Sequence, residues 1–314
     1  MKLVVQIPCL NEEKTLAEVI DTIPKKIDGI DEIVVVVIDD GSTDKTVEIA
    51  KKHGVKDFVT HRTNMGLARS FRDGTEYALS IGADILVNTD GDNQHPQSKI
   101  ADLVQPILRG EAEIVVADRQ TSKIEHFSPL KKLLQRFGSW VVNKAAGTDL
   151  PDAASGFRAY SRESLFRLNI ITRFSYCMET IIQAGNKRLA ITSIPISTNV
   201  KTRESRLFNS IWQHVFESAA AIIRTFLMYR PNTVFLTAGF TLLIIGLFPF
   251  IRYLYFLSLN SHGQHLQSLI VGMVILFASF LCFALAIIAD IIRTNRILIE
   301  ESIEQQKRAR FENR

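Results

Sequence analysis

The chain has 314 residues, 46% of them hydrophobic, with 37 Lys and Arg against 33 Asp and Glu. That length admits one large domain or two small ones. A net charge of +4, without a basic stripe interleaved with aromatics, argues against a nucleic-acid partner. Cys9, Cys177 and Cys282 are far apart and form no CxxC or metal spacing, so they read as reduced thiols of a chain facing the cytoplasm. The N-terminus shows no signal peptide.

Leu3 to Ile7 is an apolar run ending at Pro8 and predicts a first strand. Asn11 is the expected N-cap of a helix carrying Leu16, Val19, Ile20 and Ile23, with Glu12 and Glu13 in its first turn. Ile33 to Ile38 is an unbroken β-branched run, as a strand buried on both faces requires. It leads into Asp39-Asp40-Gly41-Ser42-Thr43-Asp44 and a helix from about Lys45 to His53, with Ser42 or Asp44 as its cap. Val55 to Thr60 is a weaker strand, and Asn64-Met65-Gly66 opens a helix with Leu67, Phe71, Ala78 and Leu79 on one side. The strand Asp84 to Val87 leads to Asp90-Gly91-Asp92-Asn93-Gln94-His95. A helix from about Pro96 to Arg109 and a strand from Glu113 to Ala117 follow. Strands and helices thus alternate through residue 118, which predicts a doubly wound α/β domain. Neither GxGxxG nor GxxxxGK[ST] occurs, so neither a dinucleotide fold nor a P-loop enzyme is indicated.

From Phe127 to Ala146 a helix is expected, rich in basic residues: Lys131, Lys132, Arg136 and Lys144. It reads either as a solvated face or as an approach to anionic headgroups. Asp149 to Tyr160 reads as a loop containing Ser155-Gly156-Phe157-Arg158. Helices are expected over Ser161 to Leu168 and Phe174 to Ala184, and a late strand over Leu189 to Ile196. Residues 207–230 set Phe208, Ile211, Trp212 and Val215 on one face against Ser210, Gln213, His214 and Glu217, as an interfacial amphipathic helix does. Val234 to Ile251 and Leu266 to Ala289 carry no charge, and each is long enough to span about 30 Å of hydrocarbon. Two transmembrane helices, about 233–256 and 266–291, are expected. Arg224, Arg230, Arg293 and Arg296 flank their far ends. The positive-inside rule then puts residues 1–206 and the charged tail 293–314 in the cytoplasm, and makes the chain an integral protein of the cytoplasmic or an ER-equivalent membrane. The tail after Ile299 reads as a frayed helix.

The chemistry gathers at the strand ends. Asp90 and Asp92 are hard oxygen donors suited to Mg²⁺ or Mn²⁺ on a diphosphate, and Gly91 lets a ligand approach the backbone. Taken alone, DxD fits an acidic turn as well as a metal site. His95 is either a metal neighbour or a hydrogen-bonded turn histidine, and the hard donor set favours the second. Arg119, Lys201, Arg203 and Arg206 form a basic set that can neutralise phosphate. Asp152 can position an acceptor or cap its own turn.

Pro8-Cys9-Leu10-Asn11-Glu12, the Asp39 to Asp44 loop, Asn64-Met65-Gly66, Asp90 to Gln94 and Ser155 to Arg158 resemble, in that order, glycosyltransferase family 2. The likeness is to its polyprenyl-phosphate branch, the group that includes dolichyl-phosphate mannose synthase. The resemblance implies a GT-A fold and an inverting transfer at the cytoplasmic membrane face. The donor would be a nucleoside-diphosphate sugar of the GDP-mannose or UDP-glucose type, and the acceptor a polyprenyl or dolichyl phosphate. By position, Pro8, Leu10, Asn11 and Glu12 would line the nucleotide pocket, and Asp39 or Asp40 would meet base or ribose. Asp90, Gly91, Asp92 and Gln94 would surround the metal and diphosphate. Arg119, Arg203 and Arg206 would meet phosphates. Asp92, Asp152, Arg119 and Arg206 form the expected catalytic set, Asp90, Asp92 and Gln94 the metal set.

Three departures stand out. Leu10 replaces a frequent aromatic, Val200 stands where the family has an arginine, and QxxRW of the processive synthases is absent. A phosphate-monoester acceptor is ionised near pH 7, with a second pKa of about 6, and needs no strong general base. Two other readings are a soluble or polymer acceptor and a non-catalytic membrane scaffold. Homo-oligomerisation is left open.

Overall fold

The computed structural model describes residues 1–121, 129–171, 176–199, 227, 229–258 and 266–312. Lys201, Arg203, Arg206 and nearly all of the expected interfacial helix 207–230 lie outside the described residues. The chain divides into two units, residues 1–222 with 300–314, and residues 223–299.

The first unit is built on a seven-stranded sheet. Its strands are β1 (Lys2–Cys9), β2 (Glu32–Asp39), β3 (Asp57–Thr60), β4 (Ile85–Asn88), β5 (Ile114–Asp118), β6 (Arg158–Ser161) and β7 (Ile191–Pro195). They lie in the order β3-β2-β1-β4-β6-β5-β7. Every residue of β1 from Leu3 to Cys9 is buried, as a central strand covered on both faces must be. The covering helices are α1 (Leu16–Thr22), α2 (Thr46–Lys52), α3 (Leu67–Ser80), α4 (Ile100–Leu108), α5 (Pro129–Ala146), α6 (Arg162–Arg167) and α7 (Tyr176–Asn186). One apolar core joins Leu3, Val5 and Ile7 of β1 to Leu16 and Val19 of α1 and Leu103 and Val104 of α4.

The topology positions the site. From β1 the chain steps outward to β2 and β3, then returns to lay β4 on the other side of β1. The loops that leave β1 and β4 therefore flank the crevice where strand order reverses, the place where open α/β sheets bind ligands.

Two expectations are corrected here. The segment read as a loop up to Tyr160 ends in β6, which runs antiparallel between β4 and β5, so the sheet is mixed. Four residues, Arg-Ala-Tyr-Ser, give no apolar run or alternation long enough to announce a strand. Helix α1 begins at Leu16, and Asn11 is not its cap. Asn11 instead adopts φ 56, a left-handed conformation that asparagine tolerates, and turns its side chain to the next loop.

The tail is ordered rather than frayed. Helix α9 (Leu266–Phe311) runs unbroken, and residues 300–314 belong to the first unit. Arg308 pairs with Glu163 of α6 at 2.5 Å, and Glu300 with Lys187 at 3.1 Å. Arg162 donates to the Phe311 carbonyl oxygen at 2.8 Å. Lys307 donates to the Leu168 carbonyl oxygen at 2.6 Å, and burial pushes its ammonium down to about 8.

The second unit is a pair of apolar helices, α8 (Pro231–Ser258) and the first part of α9. Both are long and apolar enough to cross a membrane. Only 11% and 17% of their most apolar stretches are buried, and Ile244, Phe248 and Phe280 are exposed, as in helices that face lipid. They pack on each other through small residues. A Cβ on Gly239 would meet the Phe283 ring at 2.8 Å, and Ser279 Oγ donates to the Gly239 carbonyl oxygen at 2.8 Å.

Candidate active site

Two loops are stitched together at the end of β1. Three successive backbone N–H groups, of Asn11, Glu12 and Glu13, donate to Ser42 Oγ, Thr46 Oγ1 and an Asp44 carboxylate oxygen. In return Asn11 Oδ1 accepts from the Thr43 N–H at 2.8 Å. Burial pushes the Asp44 carboxyl up, but the Thr46 hydroxyl and N–H donating to it hold it below its ordinary range. Gly41 makes the turn possible. Its φ is +81, and a Cβ there would meet the Thr63 backbone at 2.9 Å.

The acidic pair after β2 faces inward. Asp39 Oδ1 accepts from the Ser42 N–H at 3.0 Å. Asp40 accepts from the N–H groups of Met65 and Gly66 at 2.8 and 2.9 Å, and His61 Nδ1 lies 2.7 Å from its Oδ1. The other ring nitrogen of His61 reaches Asp73, which Arg69 also holds.

The loop after β4 alternates. Gly91, Asn93, His95 and Gln97 are buried, whereas Asp90, Asp92 and Gln94 are half-buried. The buried residues fasten it. Gln97 donates to Thr89 Oγ1 and the His95 carbonyl oxygen, both at 3.0 Å, and Thr15 Oγ1 donates to the Gly91 carbonyl oxygen at 2.7 Å. His95 stacks on Phe157 and sets Nε2 3.3 Å from Asp90 Oδ2. His95 Nδ1 has no hydrogen-bond partner among the described residues, so a proton is better used on Nε2, facing the carboxylate. Beneath Gly91 lies Cys9, whose thiol burial pushes well above its usual range. It is a packing group, not a nucleophile. Asn199 closes the loop from the far end of the domain. Its N–H donates to the Gln94 carbonyl oxygen and its amide to that of Asn93, both at 3.0 Å.

A buried chain of amides supports this loop from within the sheet. Gln6 Nε2 donates to Asn88 Oδ1 at 2.9 Å, and Asn88 Nδ2 donates to the Tyr176 hydroxyl at 2.7 Å and the Gly156 carbonyl oxygen at 3.0 Å. A Cβ on Gly156 would meet that hydroxyl at 3.0 Å and Asp90 Oδ2 at 3.5 Å. Arg158 lies fully buried next to it, donating to the carbonyl oxygens of Ser155, Cys177 and Ala153 and to Thr180 Oγ1. It ties the segment to α7.

Past β5, Arg119 grips Asp152 with two prongs, Nε at 2.6 Å and Nη2 at 3.0 Å. The Asp152 side chain is 2% exposed. Burial alone would raise its carboxyl, but the Arg119 charge and hydrogen bonds hold it below the usual range.

The family model for glycosyl transferase family 2 matches residues 4–168, over half of the chain and every element just described up to α6. The chain belongs to glycosyltransferase family 2. It is 31% identical over 213 residues to the UDP-N-acetylglucosamine–dolichyl-phosphate N-acetylglucosaminyltransferase of Methanococcus voltae, across 61% of this chain and 83% of that one. It is 31% identical over 220 residues to the dolichol-phosphate mannosyltransferase of Pyrococcus furiosus, across 66% and 59%. The solved glucosyl-3-phosphoglycerate synthase of Mycobacterium tuberculosis, in complex with Mn²⁺, UDP and phosphoglyceric acid, shares its fold with a TM-score of 0.57 at 22% identity, over 72% of this chain and 77% of that one. The α/β unit is thus of GT-A type.

In this glycosyltransferase Pro8 and Asp39 lie at the ends of β1 and β2, and Leu10, Asn11, Glu12, Asp40, Asp90, Gly91, Asp92 and Gln94 sit on the loops after β1, β2 and β4. Arg119 and Asp152 pair with each other beyond β5. Arg203 and Arg206 lie outside the described residues. The residues after β4 fit a divalent ion. Asp90, Asp92 and Gln94 are half-buried oxygen-bearing side chains, and Mg²⁺ or Mn²⁺ favours such donors completed by phosphate and water. Among the described residues no group of three or more His, Cys, Asp or Glu comes together as a metal cluster. Sequence reading missed His61, Asp73, Thr15, Tyr176 and Asn199. His61 had a signal, since it directly follows a strand of a parallel sheet. The others act from helices and loops distant in sequence, and no spacing announces them.

Proposed function

We propose that this chain transfers a sugar from a nucleoside-diphosphate sugar to a polyprenyl phosphate at the cytoplasmic face of a membrane, with inversion at the anomeric carbon. The observation that carries the reading is the loop with half-buried Asp90, Asp92 and Gln94 at the strand-order reversal, in a chain that also has two membrane-length apolar helices. The names of both curated relatives support a lipid-phosphate acceptor.

The loops after β1 and β2 form the nucleotide side, with Pro8, Leu10, Asn11 and Glu12 along it. Asp40 already serves two backbone N–H groups and His61, so the base or ribose contact is assigned to Asp39. Asp90, Asp92 and Gln94 would hold Mg²⁺ or Mn²⁺, and that ion, when bound, supplies Lewis-acid stabilisation of the leaving diphosphate. An acceptor phosphate oxygen bonds to the anomeric carbon as the bond to the diphosphate oxygen breaks, and the negative charge passes to the nucleoside diphosphate. No strong base is required, so positioning and electrostatics supply most of the rate. Arg119 has five N–H donors and gives two to Asp152. Its remaining donors are assigned to phosphate, with Asp152 fixing the guanidinium plane. Asn199 anchors the start of the segment that carries Lys201, Arg203 and Arg206. Arg203 and Arg206 are assigned to the acceptor or donor phosphates.

The test supplies GDP-mannose, UDP-glucose and UDP-N-acetylglucosamine in turn, with polyprenyl phosphate and Mg²⁺ or Mn²⁺. Labelled sugar entering the organic phase, with the opposite anomeric configuration, is the expected result. Sugar that stays in the aqueous phase would favour a soluble acceptor. No transfer from any donor, together with no metal-dependent nucleotide binding, would leave only the scaffold reading.

A further inference from the structure

The last turns of α9 do more than pair with α6. Together with α3 and the residues that follow α6, they line a cavity of about 200 Å³ within the first unit. An apolar cavity of about 150 Å³ takes up benzene, so this volume admits one ring with a polar substituent. Phe71 of α3, Ile170 and Ile303 of α9 give it an apolar wall. Among the described residues, none of those assigned to donor, metal or acceptor lines it.

Its polar side is made by Arg72, Asn169 and Lys307. Asn169 is 6% exposed, and Gln183 fixes its backbone from both sides, accepting from its N–H at 2.8 Å and donating to its carbonyl oxygen. Its side-chain Nδ2 has no hydrogen-bond partner among the described residues. A buried donor left unmet is costly, and a half-turn about the terminal bond exchanges the donor and the acceptor of this amide. Lys307 donates to the Leu168 and Leu165 carbonyl oxygens at 2.6 and 3.4 Å and has a third N–H. Burial pushes its ammonium down to about 8 even though Glu76 and Glu304 act to raise it, so the carboxylates at hand do not offset its desolvation. Arg72 gives its Nε–H to Asp73 at 3.3 Å, which leaves the donors of its two terminal nitrogens.

We propose that this cavity is a second ligand site, which binds a small amphipathic monoanion, a carboxylate on a compact hydrocarbon body. The carboxylate meets Lys307 and Arg72, with the Asn169 amide as a further donor, and the hydrocarbon packs on Phe71, Ile170 and Ile303. A planar carboxylate matches the guanidinium fork. Among the described lining residues two cations face one carboxylate, Glu76, and that balance selects against a cationic ligand. The site goes beyond the transfer reaction and does not rest on it.

Three molecules of one shape separate charge from fit: para-fluorobenzoate, para-fluorobenzamide and para-fluorobenzamidine. Each is titrated against the full-length protein in lipid nanodiscs without nucleotide sugar, with binding read by fluorine NMR and protein-free nanodiscs as the blank. The benzoate is expected to bind with a dissociation constant below about 1 mM, and the benzamide about tenfold more weakly. Arg72 is half-exposed, so Arg72→Gln should fold normally, weaken the benzoate about fivefold and leave the benzamide unaffected. Ile303→Trp, which fills the cavity, should abolish binding of both with the circular dichroism spectrum unchanged. Equal affinity for benzoate and benzamide would overturn the anion assignment, and tighter binding of the benzamidine would give the site to a cation held by Glu76. Benzoate binding untouched by both substitutions would place the ligand elsewhere on the chain. No binding of any of the three would leave the cavity a gap in packing, and the proposal would fall. Sugar transfer is not read in any arm, so loss of the assigned reaction would leave these outcomes as they are.

Discussion

Two pairs of aspartates leave neighbouring parts of one sheet, and they have different fates. Asp39 and Asp40 are adjacent, so the second turns away from its own strand and into the protein, where backbone N–H groups and His61 consume it. Asp90 and Asp92 are separated by Gly91 and stay half-buried, while Gly91, Asn93 and His95 are buried. The first pair divides its work, Asp40 holding its loops while Asp39 is assigned to the nucleotide; both members of the second are assigned to the metal ion.

The largest effect that could break this contrast is on the second pair. Asp92→Ala should lower transfer by about 10³-fold while leaving the unfolding temperature essentially unchanged. Near-normal activity would remove Asp92 from the machinery. Asp40 should behave in reverse. Asp40→Ala removes the acceptor of the Met65 N–H and the His61 contact, while the Gly66 N–H keeps Asn64 Oδ1, and should cost about 1–3 kcal/mol of stability in denaturant unfolding; a loss below the usual surface scatter would mean Asp40 is not structural.

The next effect sharpens the second pair. His95→Ala should weaken Mn²⁺ binding about tenfold by calorimetry, whereas His95→Gln, which can place an amide N–H near the lost Nε2, should recover most of it. Equal losses in both variants would make His95 a packing residue only. The smallest effect concerns Asp152. Its carboxyl is held below its ordinary range, so the stability it contributes is complete above that range and is lost as pH falls through the lowered value. Asp152→Asn should flatten the decline in stability below about pH 4, and an unchanged acid slope would contradict the pairing with Arg119.

Much of this was legible because burial on both faces forces an apolar run. The β-branched stretch before Asp39 and the run before Asp90 announced their strands, and with them the positions of both acidic loops. The antiparallel β6 stayed hidden because it is short and its first residue is an arginine. A buried guanidinium satisfied by three carbonyl oxygens and a hydroxyl cannot be told from an exposed one by residue type. Asn11 looked like a cap because asparagine suits both a cap and a left-handed turn. The network of Gln6, Asn88 and Tyr176 joins three distant parts of the chain, and only the assembled sheet brings them into line. The charged tail read as frayed because its docking relies on ion pairs with residues more than a hundred positions earlier.

That docking has a consequence for biogenesis. The catalytic unit is discontinuous, residues 1–222 completed by 300–314, with both apolar helices encoded in between. At 5–20 residues per second, the ribosome needs about 4–15 s to cross the intervening stretch. Throughout that interval the nascent GT-A unit exists without residues 300–314. The surface around Glu163, Leu168 and Lys187 therefore stays without its tail partners until they emerge, so completion of the unit waits on synthesis of both apolar helices.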